Sequence, residues 1–218
     1  MADNRHNRDE AYTLQKPDDH RRYYDQWAQT YEDDFIEAEG YAYSARIALI
    51  ARRLRPGFKA RIADIGCGTG VVGRELRMQG FRGPIDGLDI SEGMLKKAGE
   101  AGIYDQLHCT DLTDPGSFPE TRYQFLISTG AFTMGHLGPD TLEKVFGLAS
   151  RGAFALIGIN AVFFEKDGFG AAFKEWEAAG RITPPVWFDT ASYYDLEPIK
   201  THSRIARIAA MSLTRRGR

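Results

Sequence analysis

Hydrophobic positions in the middle of this chain, from about residue 60 to about residue 160, alternate between two periods. Short apolar runs predict five β-strands, at residues 61–65, 85–90, 106–109, 124–128 and 153–159. Apolar residues three and four positions apart predict three helices between them, at residues 71–79, 92–100 and 141–149. Strands that alternate with helices are typical of a parallel sheet covered on both faces. The pattern therefore predicts a doubly wound α/β sandwich.

The N-terminal part of the chain carries a different pattern. Residues 1–22 are dominated by Asp, Asn, Arg and His, and we expect a disordered polar tail there. Aromatic residues then recur on one face of a predicted helix, at Tyr24, Trp27, Tyr31 and Phe35. A second helix is predicted up to Leu54, before the stop signal Pro56-Gly57. We interpret residues 23–56 as a helical lid on one domain of residues 57–218.

The C-terminal part is less regular. A helix is predicted over residues 169–179, and two strands are predicted within residues 182–189 and 204–213. Because both strands end the chain and alternate only loosely, we expect an antiparallel pair at one edge of the sheet. No internal repeat and no second domain are indicated.

Composition narrows the functional classes. Of the 218 residues, 43% are hydrophobic and 27% are charged, and the net charge is −2, the balance of an ordinary globular protein. Without a basic excess, nucleic acid is a disfavoured partner. The cysteines, Cys67 and Cys109, have no metal-ligand spacing, so we expect no metal site and a reducing compartment. The longest apolar stretch, residues 153–164, is too short to span a membrane, and we expect a cytoplasmic protein.

The most informative segment follows the first predicted strand. Asp64-Ile65-Gly66-Cys67-Gly68-Thr69-Gly70 places glycines at alternate positions before a helix, which lets backbone approach a nucleotide-like ligand closely. Acids follow the first three strands, at Asp64, Asp89 and Asp111. Asp89 lies 19 residues after Gly70, about the separation at which an acid reaches ribose hydroxyls in open α/β sheets.

Two classes of ligand fit a glycine-rich loop. Residues 68–73 also match G-x-G-x-x-G, which would favour a nicotinamide-dependent oxidoreductase. That interpretation buries Asp64 and Gly66 inside the strand, and an acid repels a pyrophosphate by roughly 4 kcal/mol at about 4 Å and an effective dielectric near 20. A cationic ligand without phosphate, S-adenosylmethionine, is the favoured alternative. Its carboxylate can use the amides of the loop and of the following helix.

Three segments together resemble class I S-adenosylmethionine-dependent methyltransferases. They are residues 64–70, Gly87-Leu88-Asp89-Ile90-Ser91 and Thr110-Asp111-Leu112. The resemblance covers nearly the whole chain beyond the tail. It implies a Rossmann-like sandwich with a mostly parallel seven-stranded sheet of order 3-2-1-4-5-7-6, in which strand 7 is antiparallel.

The resemblance also implies roles for single residues. Asp64 and the loop would hold the methionine end of the cofactor, through Gly66, Cys67, Gly68 and Gly70. Asp89 would bind the ribose, and Ile90 would pack on the adenine with Met94 nearby. Asp111 would accept from the adenine amino group, the Leu112 amide would donate to the ring, and Thr129 would pass near the sulfonium.

The predicted aromatic helix carries a second resemblance. Residues 24–32 are similar to the Y-D-x-x-A-x-x-Y-D entrance helix of the small-molecule branch, which includes relatives of the Williams-Beuren region methyltransferase-like protein and the quinone-methylating enzymes. This implies that Tyr24 and Tyr31 reach the amino acid end of the cofactor. Glu32 replaces the final Asp of that motif. The alternative is that the aromatic rings only pack the helix onto the core.

The resulting hypothesis is methyl transfer to a small-molecule acceptor by in-line displacement. His136, after the fourth strand, is the candidate general base. Candidate acceptor-pocket residues are Phe132, Met134, Phe163, Phe164 and Trp187, with Asn160 as a candidate for orienting the acceptor. Ser128-Thr129-Gly130-Ala131 is not the Asn/Asp-Pro-Pro-Tyr motif of enzymes that methylate amides or nucleobase amines. A non-catalytic protein that binds S-adenosylmethionine or S-adenosylhomocysteine is the alternative, and a monomer or a homodimer is expected.

Overall fold

The computed structural model describes residues 6–54, 59–194 and 204–214 and contains one seven-stranded sheet. Its strands are β1 Ile62–Ile65, β2 Ile85–Asp89, β3 Gln106–Cys109, β4 Tyr123–Phe132, β5 Ala149–Asn160, β6 Val186–Ala191 and β7 Ile205–Ser212. They lie in the order β3-β2-β1-β4-β5-β7-β6. Strands β1 to β5 are parallel, and β7 is antiparallel to both β5 and β6. The predicted fold class and strand order are confirmed.

Eight α-helices accompany the sheet in the described ranges. They are α1 Arg8–Ala11, α2 Pro17–Trp27, α3 Tyr43–Leu54, α4 Val71–Met78, α5 Glu92–Glu100, α6 Pro139–Val145, α7 Ala161–Lys166 and α8 Phe169–Ala178. Ser91 caps α5, because its hydroxyl accepts a hydrogen bond from the Met94 amide at 3.0 Å. None of the described helices has both the length and the apolar character that a membrane crossing requires.

Two apolar cores cover the faces of the sheet. One packs α6, α8 and the apolar residues of β4 and β5 around side chains such as Phe132 and Trp176. The other packs α3 and α4 against the opposite face, around side chains such as Ile47 and Leu76. Strand β1 is buried at every position, as expected for a central parallel strand. The sheet is therefore a rigid platform whose strand ends can carry a site.

The N-terminal segment differs from the prediction. Residues 6–22, expected to be a disordered tail, include α1 and the first part of α2. They are held by specific contacts: Ala11 is buried, Arg8 donates to the Tyr193 hydroxyl at 2.7 Å, and His20 bonds the Gly135 carbonyl oxygen at 2.9 Å. A few apolar and aromatic anchors thus fix a segment whose composition is polar.

The predicted aromatic helix is also interrupted. Helix α2 ends at Trp27, and after a turn the chain forms a short π-helix over Glu32–Glu37. Its rings still form one cluster, since Trp27 contacts Tyr31 edge-to-face with centroids 4.9 Å apart. Further differences are the extension of β4 to Phe132 and the unpredicted helix α7. The lid and domain boundaries at residues 22 and 56 remain predictions.

Candidate functional site

A large cavity lies above the carboxyl ends of β1, β2, β3 and β4, beneath α2 and the π-helix. Its empty volume is about 1140 Å³, part of it open to solvent, so it is large enough for a small-molecule ligand. The position is the one at which open α/β sheets bind ligands, because the strand order reverses between β1 and β4.

The glycine loop after β1 forms the floor of this cavity. Gly66 and Gly68 have φ values of +66° and +53°, in the left-handed region that favours glycine. A Cβ on Gly66 would lie 2.8 Å from the Ala131 Cβ, whereas a Cβ on Gly68 would meet nothing within 4 Å. Gly66 therefore permits close packing between β1 and β4, and Gly68 leaves open space above the loop.

Asp89 binds the loop from the end of β2. Its Oδ2 accepts from the Gly68 amide at 2.8 Å, and its Oδ1 accepts from the Ser91 amide at 2.9 Å. Burial raises the pKa of this carboxyl, and the amide hydrogen bonds oppose the shift. Each oxygen has a further acceptor position, so Asp89 can hold the loop and still accept hydrogen bonds from two ligand hydroxyls.

Unsatisfied polar groups follow β3. Asp111 Oδ1 accepts from the Thr113 amide at 2.8 Å and from its hydroxyl at 2.7 Å, while Oδ2 has no hydrogen bond within the described residues. The Thr110 hydroxyl is buried without a partner in the same part of the chain, and the Leu112 amide makes no described bond. A buried polar group left unpaired costs about 1–3 kcal/mol. Grouped at one cavity wall, these atoms fit a ligand with both donors and acceptors.

Asp64 lies outside the cavity, beneath the glycine loop. Its Oδ2 accepts from the Tyr104 hydroxyl at 2.6 Å, and the side chain is fully buried. Burial raises the pKa of Asp64 to about 7, although the Tyr104 hydrogen bond lowers it. Tyr104 also packs under Gly70 and Gly73, where added Cβ atoms would lie 2.9 Å from its ring and 2.6 Å from its hydroxyl oxygen, respectively. Asp64 and Tyr104 therefore support the loop from below.

His136, in the loop after β4, contacts Tyr24 of α2 in the wall of the cavity. The Tyr24 hydroxyl lies 2.8 Å from His136 Nε2, and His136 Nδ1 lies 2.9 Å from the Met134 carbonyl oxygen. Since a carbonyl only accepts, Nδ1 carries the proton and Nε2 accepts from Tyr24. Burial lowers the pKa of His136 to about 4. The imidazole is thus neutral at pH 7, with both nitrogens engaged.

Two further contacts fasten the N-terminal segment over the cavity. Asp25 Oδ1 accepts from the Ser91 hydroxyl at 2.6 Å and from the Gly93 amide at 2.9 Å. Arg74 donates to Glu32 at 2.6 Å across to the π-helix. The first contact joins α2 to the start of α5, beside Asp89.

A second cavity adjoins the first, over the ends of β4 and β5 and the start of β7. Nine aromatic side chains line it, and we call it the aromatic chamber: Tyr12, Tyr24, Trp27, Tyr31, Phe35, Tyr41, Tyr43, Phe132 and Tyr193. Its empty volume is about 600 Å³. Tyr24, Tyr31, Tyr41 and Gly130 line both cavities.

Comparison with known proteins agrees with this geometry. The family profile described as a methyltransferase domain matches residues 62–152. Methyltransferase-like protein 27 from Homo sapiens is 34% identical over 125 residues, which cover 56% of this chain and 51% of that protein. Residues 62–152 of the chain are therefore similar to a methyltransferase domain. The match spans about half the length of the human relative.

Solved methyltransferase structures share the fold. The magnesium protoporphyrin IX methyltransferase from Synechocystis PCC 6803, with bound S-adenosylmethionine, superposes with a TM-score of 0.64 at 18% identity, covering 93% of this chain and 99% of that one. A TehB-like methyltransferase from Corynebacterium glutamicum has a TM-score of 0.58 at 23% identity, covering 89% and 99%. At these identities the likeness concerns the fold.

Most residues predicted for the methyltransferase site line the first cavity. They are Tyr24, Tyr31, Gly66, Cys67, Gly68, Asp89, Ile90, Met94, Asp111, Leu112, Thr129 and His136. Asp64 and Gly70 do not line it. The reason is the turn of the loop: Asp64 is the inward residue of a fully buried strand, and Gly70 packs onto Tyr104.

Sequence reasoning missed several groups around the site. Tyr104 lies outside every motif, and only the fold brings it beneath the loop. Asp25 and Thr110 lie within the motifs at residues 24–32 and 110–112, but no role was assigned to either. Tyr41 and Ser44 also line the first cavity. Of the predicted acceptor-pocket residues, Phe132 and Asn160 line the aromatic chamber, whereas Met134, Phe163, Phe164 and Trp187 line neither cavity.

Proposed function

We propose that this chain transfers a methyl group from S-adenosylmethionine to a small-molecule acceptor. The observation that carries the proposal is the arrangement of Asp89, Asp111 and the Leu112 amide around one cavity above the glycine loop. Carboxylates at these places suit ribose hydroxyls and an adenine amino group. No phosphate-binding cation is needed for such a ligand.

The residues fit this cofactor on structural grounds. Gly68 leaves open space above the loop, and Asp111 Oδ2 and the Leu112 amide have no hydrogen-bond partner within the described residues, so both are free to pair with a ligand. Asp89 would accept from the ribose, Ile90 and Met94 would pack on the adenine, and Thr129 would face the sulfur. When bound, S-adenosylmethionine supplies a methyl group activated by positive sulfur, and transfer leaves S-adenosylhomocysteine and a proton.

The preference for a small acceptor rests on enclosure. Helix α2 and the π-helix lie over the cavity and place Tyr24 and Tyr31 in its wall. One fold neighbour is named for a small-molecule acceptor, magnesium protoporphyrin IX. The segment at Ser128–Ala131 continues β4 and lacks the Pro-Pro-Tyr motif of amide and nucleobase methylation. A long polymer would have to displace the lid to reach the cavity.

Positioning supplies most of the catalysis in this proposal. Well-oriented intramolecular reactions reach effective molarities of about 10⁵ to 10⁸ M. His136 as a general base remains a prediction, and its geometry weighs against direct proton transfer since both nitrogens are engaged. A positioning role fits better: neutral His136 holds the Tyr24 hydroxyl in the cavity wall.

Those engaged nitrogens also favour a second candidate function. A protein that binds the cofactor without turnover needs no base, and the described cavity wall presents no other histidine without a hydrogen bond, since His20 bonds Gly135. Turnover separates the two functions. Incubation with labelled S-adenosylmethionine and fractionated metabolites should release S-adenosylhomocysteine if the enzyme hypothesis holds.

Calorimetry tests the cofactor site directly. We expect S-adenosylhomocysteine to bind and NAD not to bind, and Asp89→Ala to weaken binding at least about 100-fold, because charge-assisted hydrogen bonds contribute about 1.5–3 kcal/mol each. Asp167→Ala is the matched control, since Asp167 is exposed and far from the loop in sequence. Binding of NAD alone, or unchanged affinity in Asp89→Ala, would overturn the proposal.

A further inference from the structure

The aromatic chamber lies where an acceptor would meet the methyl donor. It is built over the ends of β4 and β5 and the start of β7, the same edge of the sheet that carries the first cavity. The two cavities share Tyr24, Tyr31, Tyr41 and Gly130 as a common wall. Gly130 has a φ of +76°, and a Cβ there would lie 3.3 Å from the Tyr41 hydroxyl. The wall between the cavities is thus thin at this point.

The chamber wall is aromatic and almost without charge. Its empty volume of about 600 Å³ is within the range of small-ligand sites. Rings that meet edge-to-face, such as Tyr41 and Tyr193 with centroids 5.6 Å apart, present both ring faces and ring edges to a guest. Planar aromatic guests are the best partners for such a surface.

Arg8 is the one charged side chain among the described residues that line the chamber. It donates to the Tyr193 hydroxyl at 2.7 Å and pairs with Glu39 at 3.0 Å. Its guanidinium lies 5.7 Å from the Tyr193 ring centroid and 5.9 Å from that of Tyr12. Two ring faces that could attract a cationic guest are therefore already occupied by a cation, and no carboxylate lines the chamber to balance a second one.

Resting on the methyltransferase function, we propose that the aromatic chamber binds the methyl acceptor, and that this acceptor is a planar aromatic molecule without a positive charge. The rings select planarity, and Arg8 disfavours a second cation. The common wall then places the guest beside the methyl donor.

Ligand-observed NMR on the full chain saturated with S-adenosylhomocysteine tests this assignment. The probes are 4-methylphenol, its saturated counterpart 4-methylcyclohexanol and the cation 4-methylbenzylammonium. We expect 4-methylphenol to bind at least about tenfold more tightly than the other two. Arg8→Met should reduce the discrimination against the cation, because the repelling charge is gone.

Filling the chamber should abolish this binding. Ala206 and Thr133 line the chamber and not the first cavity. Ala206→Leu and Thr133→Leu should each weaken 4-methylphenol binding at least about tenfold while S-adenosylhomocysteine still binds. Ala178→Leu is the matched control, since Ala178 is exposed at the end of α8. If one of these two variants does not fold, the other still tests the assignment.

The outcomes separate the two proposals. If the wild-type chain fails to bind S-adenosylhomocysteine, the methyltransferase function is wrong. If S-adenosylhomocysteine binds and 4-methylphenol does not, or binds equally in both filled variants, the chamber is not the acceptor site. Equal binding of 4-methylbenzylammonium would overturn the assigned charge class alone.

Discussion

The two cavities of this protein are built in different ways. The floor of the first cavity is formed by three short segments after β1, β2 and β3, and backbone amides hold it together, since those of Gly68 and Ser91 bind Asp89. The aromatic chamber is assembled from side chains that lie as far apart in the chain as Arg8 and Tyr193. Local backbone geometry therefore defines the first cavity, which we call the cofactor half of the site. Long-range packing of side chains defines the aromatic chamber, which we call the acceptor half.

This difference has a physical origin. A ligand common to a whole superfamily can be held by main-chain groups, whose positions follow from the fold and tolerate changes of side chain. An acceptor that differs between members must be selected by side chains. Apart from Gly130, Phe132 and Thr133 at the end of β4, the residues that line the chamber belong to the N-terminal segment or follow residue 152, outside the matched domain region at residues 62–152.

The largest effect is expected from a substitution in the glycine loop of the cofactor half. Gly66→Ala forces an alanine to φ +66° and places its Cβ 2.8 Å from the Ala131 Cβ. The left-handed backbone alone costs roughly 1–2 kcal/mol, and the collision displaces β4 from the loop. We expect calorimetry to show cofactor affinity reduced at least about 100-fold, with the aromatic chamber still formed.

Gly180→Ala is the matched control for that change. Gly180 has a φ of +62°, and a Cβ there would meet nothing within 4 Å. It carries the same backbone strain without the collision, so urea unfolding should show a small loss of stability and calorimetry no change in cofactor affinity. Normal binding by Gly66→Ala would mean that the loop is not held by close packing against β4.

The sequence was informative where local rules decide the structure. Alternating apolar runs predicted the strands from Ile62 to Ile159 within a few residues, and the glycine spacing placed the cofactor loop. The full strand order came from the resemblance. Boundaries were wrong where packing decides them: β5 begins at Ala149, the last residue of the helix predicted over residues 141–149, because Ala149 pairs with Tyr123 of β4.

The acceptor half could not be predicted in the same way. A polar composition over residues 6–22 gives no signal that Ala11 and Tyr23 will be buried or that Arg8 will reach Tyr193. Aromatic residues near strand ends were assigned to a pocket by position alone, and Phe164 and Trp187 instead contact each other, with centroids 5.2 Å apart. Pairings over such sequence distances are known only once the fold is known.

The second prediction concerns what lies beneath the cofactor loop. Burial raises the pKa of Asp64 to about 7, whereas the unfolded chain loses this proton near pH 4. Between these values the native state binds more protons than the unfolded state, so the free energy of unfolding falls as pH rises, by at most about 1.4 kcal/mol per pH unit from this group.

Asp64→Asn keeps an acceptor oxygen for Tyr104 and removes the titrating proton. Urea unfolding between pH 4 and pH 7 should therefore show a flatter decline of stability in the variant than in the wild type. Asp167→Asn, an exposed change, should keep the wild-type slope. If the free energy of unfolding depended on pH equally in all three proteins, Asp64 would be charged in the native state. Its negative charge would then favour a cationic ligand at the loop.

The smallest effect on stability is expected at the contact between α2 and α5, which joins the N-terminal segment to the cofactor half. Asp25 on α2 accepts from the Ser91 hydroxyl and the Gly93 amide at the start of α5, where an acid also complements the helix dipole. Asp25→Ala should cost about 1 kcal/mol of stability, as the loss of a helix cap does. Its larger signature should be kinetic: faster dissociation of S-adenosylhomocysteine in stopped-flow measurements, since the lid is released beside Asp89.

Asp18→Ala separates that effect from a general weakening of α2. Asp18 lies on the same helix, is two-thirds exposed and pairs only with Arg21 at 2.7 Å among the described residues, so an exposed ion pair of this kind contributes at most about 1 kcal/mol. We expect its dissociation rate to match the wild type. If both variants release the cofactor equally fast, the lid moves as one weakly held unit. If only Asp25→Ala does, one side chain couples the acceptor half to the cofactor half.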